Sequence, residues 1–136
     1  MKKSIGFLFI VLISVVILCG CVYDRGIILF NTQPITKENV LSDEINFNVG
    51  QRVYYLFIAP KRMENEYIRV QVFKMTDKAP WGGNEVVRTK DYRVMKDERY
   101  YHTDYFTFHE AGRYVMQVFS TEDYQHPLAV DFFYVH

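Results

Sequence analysis

The chain has 136 residues, 49% of them apolar and 17% aromatic, which excludes an unstructured polymer. Lys and Arg balance Asp and Glu at 16 each and gather in no one stretch, so nothing recommends nucleic acid as a partner. Both cysteines, Cys19 and Cys21, stand near the start. No disulfide can form within the rest, whose stability has to come from burying its many Tyr and Phe rings.

The first element is a leader. Met1-Lys2-Lys3 is a short positive segment, and Ile5 to Leu18 is an apolar run broken only by Gly6 and Ser14. A membrane-spanning helix needs about 20 apolar residues, so this run has the length of a signal peptide. Leu18-Cys19-Gly20-Cys21 follows, and it resembles the lipobox of bacterial lipoproteins. That resemblance implies an apolar −3 residue in Leu18, a small −1 residue in Gly20, cleavage after Gly20, and lipid on the Cys21 thiol. Cys19 occupies −2; it is itself a poor acceptor, because bulky Leu18 would be its −1 residue. Two or three acyl chains anchor stably where one does not. The implied division is a signal peptide over 1–20, a lipidated tether over 21–31, and a β-sandwich domain over 32–136. Loss of Lys2 and Lys3 with the leader leaves 14 basic against 16 acidic side chains. The implied address is the exported side of the cell membrane or, since Val22 rather than Asp follows the cysteine, of an outer membrane where the host has one.

The tether runs into a first short strand at Ile27-Ile28-Leu29-Phe30, close enough to Cys21 to seat the domain at the bilayer surface. Thr32 to Glu44 is polar and reads as loop or one helical turn. From Ile45 onward, short strands alternate with turn residues. They are expected at Ile45–Asn48, Val53–Ala59, Tyr67–Phe73, within Glu85–Met95, and at Tyr100–Phe108, Arg113–Phe119 and Leu128–Val135. Ile68, Val70 and Val72 alternate with Arg69 and Gln71, the mark of one buried and one wet face. Pro80-Trp81-Gly82-Gly83 is a turn. About seven short strands without an amphipathic helix predict an all-β, antiparallel sandwich.

Glu110-Ala111-Gly112-Arg113-Tyr114 sharpens this. It resembles the corner before strand F of immunoglobulin-like sandwiches, in which an acidic residue and a glycine precede a tyrosine whose hydroxyl bonds backbone upstream. The resemblance makes Gly112 the turn glycine and Tyr114 the corner tyrosine, with Met116 where antibody domains carry a cysteine.

Chemistry-bearing residues are sparse. There is no Gly-x-Ser-x-Gly, no phosphate loop and no His-Glu-x-x-His. His102 and Asp104 project to one face of a strand and could share an ion, with His109 and Glu110 at the next corner; a solvated polar face accounts for the same residues, and no metal or other cofactor is expected. Trp81 and Tyr92 are candidate ligand contacts, with a lid over the core and an ordinary strand tyrosine as the structural alternatives. Tyr100-Tyr101 and Phe132-Phe133-Tyr134 put rings on both faces of a strand, so one face is core and the other meets solvent or a partner, or lies under a covering loop. The expected function is a non-enzymatic, membrane-anchored binding or structural module of the cell envelope with an envelope protein as partner. A carbohydrate- or small-ligand-binding domain using Trp81 is the alternative, and a metal-assisted enzyme using His102 and Asp104 stands behind both.

Overall fold

The computed structural model describes residues 24–76 and 83–136. The leader with Leu18, Gly20 and Cys21, and the turn that carries Trp81, lie outside the described residues. Eight strands follow in chain order: β1 (Ile27–Asn31), β2 (Asn46–Phe47), β3 (Arg52–Ile58), β4 (Tyr67–Met75), β5 (Asn84–Arg93), β6 (Tyr101–Thr107), β7 (Gly112–Ser120) and β8 (Ala129–Val135). There is no helix among the described residues.

The strands form two sheets, β1-β3-β6 and β2-β8-β7-β4-β5. All pairings are antiparallel except β2 with β8, which run parallel. That exception departs from the purely antiparallel expectation. It arises because the chain, after β1 in the small sheet, crosses to the large one and lays two residues beside its last strand. Hydrogen bonds from Tyr134 N to Ile45 O (2.7 Å) and His136 N to Phe47 O (2.8 Å) hold it there.

Period-2 burial explains why the sheets pack. Val53, Tyr55 and Phe57 of β3 are buried, as are Ile68, Val70 and Val72 of β4 and Tyr114, Met116 and Val118 of β7. Alternate residues share a face, so each sheet turns one apolar row inward. Phe133 of β8 is the hub of the core. Its ring centroid lies 5.0 Å from Phe30, 5.3 Å from Phe108, 5.5 Å from Tyr114 and 5.9 Å from Phe47. Such offset and tilted pairs add to the area they bury. β5 is different: its burial does not alternate, and most of it is exposed. It is an edge strand with a bulge opposite Val72/Phe73 and mixed charges, two devices that discourage edge-to-edge association.

The corner before β7 has the tyrosine inside. Tyr114 is 2% exposed, and its hydroxyl donates to the Glu110 carbonyl at 2.7 Å. Gly112 has φ +156°, and a Cβ there would come within 2.9 Å of Lys74 Cε. Gly26 matters for another reason. A Cβ would meet the Ile58 carbonyl at 2.3 Å, so only glycine lets the incoming chain press against the end of β3.

Candidate functional site

Two features stand out: an apolar outer face on the small sheet, and a polar cluster at the flank between the sheets.

The outer face follows from the inner one. With Ile28, Phe30, Tyr55 and Phe57 turned inward, their neighbours must face out. The register aligns Ile27, Ile58 and Tyr101 in one row across β1, β3 and β6, and Leu29, Leu56 and Thr103 in the next. Tyr54 and Tyr105 form a third pair, rings 5.3 Å apart, with the Arg52 guanidinium 4.7 Å above Tyr105. Ile27 is 52% exposed and Tyr100, just before β6, 58%.

The loop between β1 and β2 borders this face. Its return leg is strapped to β1 by Phe30 N to Asp43 Oδ1 (2.8 Å) and Asn31 Nδ2 to Ser42 O (2.8 Å). Its tip is braced by Asn39, which accepts from Thr36 N at 2.7 Å and donates to Pro34 O at 3.0 Å. Between loop and sheet lies a groove of about 430 Å³ lined by Ile35, Val40, Leu56, Ile58 and Tyr101, among others, with Lys37 adding a charge. Leu41 on the same loop is 95% exposed.

The polar cluster joins β5 to β6 over Tyr55. The Tyr92 hydroxyl donates to Asp104 Oδ2 at 2.7 Å. Lys90 Nζ donates to the same oxygen at 3.1 Å and sits 4.7 Å over the Tyr92 ring. The His102 ring packs against Tyr92 in a tilted contact, with centroids 4.1 Å apart and planes at 48°. Burial pushes the Tyr55 and Tyr92 hydroxyls well above the ordinary tyrosine range. Burial also lowers the His102 pKa, with Lys90 acting in the same direction and Asp104 against it. For Asp104, burial alone would raise the pKa. The Tyr92 hydroxyl, the Tyr105 amide and Lys90 outweigh it, so the carboxylate stays ionised below its usual range.

The expected site residues are thus placed as follows. His102 and Asp104 do share a face, but Asp104 spends its charge on Tyr92 and Lys90. His109 is exposed at the corner, and Glu110 pairs with Lys74 at 2.5 Å. Among the described residues no three His, Cys, Asp or Glu side chains converge as a metal would require. Tyr92, taken as a candidate ligand contact, is half-buried and held by Asp104 and His102, which leaves its hydroxyl committed to the protein. Sequence reasoning missed Tyr55 and Lys90 as members of this cluster, and the groove against the β1–β2 loop.

No protein-family model and no curated protein matches the chain. Among solved structures it is similar to an immunoglobulin-like protein from Pseudomonas aeruginosa, at 14% identity and a TM-score of 0.49, over 80% of this chain and 91% of that one. It is also similar to the PmoD soluble domain from Methylocystis sp. (16% identity, TM-score 0.45, 84% of this chain and 93% of that one). A third likeness is to part of the alkylpurine DNA glycosylase AlkC from Pseudomonas fluorescens, at 12% identity and a TM-score of 0.45, over 82% of this chain and 29% of that one. Strand order, two-sheet packing and the tyrosine corner establish the fold: the described residues form an all-β, immunoglobulin-like sandwich.

Proposed function

We propose that this protein is a lipid-anchored module of the bacterial cell envelope that binds another envelope protein through the outer face of β1-β3-β6. The observation that carries this reading is the unbroken apolar surface of Ile27, Ile58, Tyr101, Leu29 and Leu56, with its built groove. An apolar patch of this continuity on a small domain marks an interaction site. Tyr and Ile rows flanked by a single Arg match the composition of interface cores, in which large rings supply most of the binding energy. The lipobox-like tetrapeptide supports the anchor. Ile27 lies six residues after Cys21, so the face begins close to the lipid and would meet partners at the membrane surface. The reading is non-enzymatic, resting on a surface built for contact rather than on a reacting group.

Replacing Tyr101 by a photoreactive phenylalanine in intact cells tests it. The expected result is one discrete crosslinked species, lost when Leu56→Asp is added. Crosslinking that is absent, or that Leu56→Asp leaves unchanged, would refute binding through this face.

A further inference from the structure

We propose that the cluster of Tyr92, Lys90, His102 and Asp104 over Tyr55 is an acid-sensitive clasp, which releases the edge strand β5 from β6 when His102 takes up a proton. The inference does not depend on the anchor or on the docking face.

β5 and β6 are the outermost strands of their sheets on the same flank. Among the described residues β5 pairs through its backbone with β4 alone. Its tie to the small sheet runs through side chains: the Tyr92 ring on His102, the Tyr92 hydroxyl on Asp104, and Lys90 on Asp104. The groups facing His102 are Tyr55 from β3, with ring centroids 6.0 Å apart, Tyr92 and Lys90 from β5, and Asp104 from its own strand. His102 Nε2 is buried and has no hydrogen-bond partner among the described residues. A proton on Nε2 therefore creates a buried cation without an acceptor, in the neighbourhood of Lys90. Asp104 offers a compensating charge, but Tyr92 and Lys90 already occupy one of its oxygens. Relief comes from swinging the ring to water, which breaks the tilted ring contact with Tyr92 and frees β5.

The sign is fixed by linkage. Burial depresses the pKa of His102 in the closed clasp, so the open form binds the proton more readily. The clasp is intact above the ordinary histidine pKa of about 6.5 and weakens as pH falls below it. Asp104, held below the usual carboxylate range, stays ionised at pH 5.5, and the His102→Gln variant separates this histidine from the other three in the chain.

Hydrogen exchange of the full chain in detergent micelles at pH 7.5 and 5.5, corrected for intrinsic rates, tests the proposal. Protection of the β5 amides is expected to fall three- to tenfold, roughly the limit set by one proton per opening over one pH unit, while β7 and β8 hold. His102→Gln should abolish the pH dependence. Equal β5 protection at both pH values would overturn the clasp, as would an undiminished pH response in His102→Gln. Should that variant not fold, the wild-type His102 ring titrated by NMR decides: a pKa below 6.5 is expected, and one at or above it refutes the proposal.

Discussion

Replacing Tyr114 by Phe isolates the corner that turns the chain into β7. The substitution keeps the ring, and so keeps its stack on Phe133 and its contact with Phe108, centroids 4.6 Å apart. What goes is a single 2.7 Å hydrogen bond from the hydroxyl to the Glu110 carbonyl. One neutral bond contributes about 0.5–1.5 kcal/mol net. The site sits beside exposed residues, where water compensates in part, so about 1 kcal/mol is expected. For a domain of this size that lowers Tm by about 4 °C. Urea unfolding followed by tryptophan and tyrosine fluorescence measures it, with the midpoint shifting and the slope m unchanged. An unchanged midpoint would show that the bond does not hold the corner, and a changed slope that the variant alters more than one contact.

Other perturbations probe the same framework. Phe133→Ala removes the hub of the core and should cost about 3–5 kcal/mol by the same denaturation assay. Gly112→Ala forces a side chain onto a backbone at φ +156° and toward Lys74; the lysine chain can yield, so a loss of about 1–2 kcal/mol is expected in thermal unfolding. Asp131 has its pKa raised by burial and by the nearby Asp43 charge, against a hydrogen bond from Phe132 N. Its ionised form therefore weakens the fold as pH rises through the carboxylate range. Asp131→Asn should stabilise the protein by some tenths of a kcal/mol at pH 7 and not at all at pH 3. Ile27→Ser on the outer face, 52% exposed, should leave stability within about 0.5 kcal/mol of wild type while removing the species crosslinked through position 101.

The fold was legible where one strand carries its own pattern. Ile68, Val70 and Val72 in β4, and Tyr114, Met116 and Val118 in β7, announce a half-buried strand without outside help, because their alternation is local. β5 lacks that alternation, since an edge strand buries little, and its bounds were correspondingly loose. β2 could not be paired from sequence: two residues beside a strand almost ninety positions later leave no periodic trace. The same limit governs the sites. His102 and Asp104 share a face by simple spacing, yet Tyr92, Lys90 and Tyr55 join them only through the meeting of two sheets. The groove was hidden too, because the polar stretch from Thr32 to Glu44 gives no sign of which strands it will border.

The most direct test of where this protein works is incorporation of labelled palmitate into the wild type and Cys21→Ala, with the mass of the mature N-terminus determined alongside. Label on the wild type alone, and a mature chain that starts at Cys21 with diacylglycerol mass attached, is the predicted result. An unlabelled wild type, or a mature chain starting elsewhere, would contradict the account.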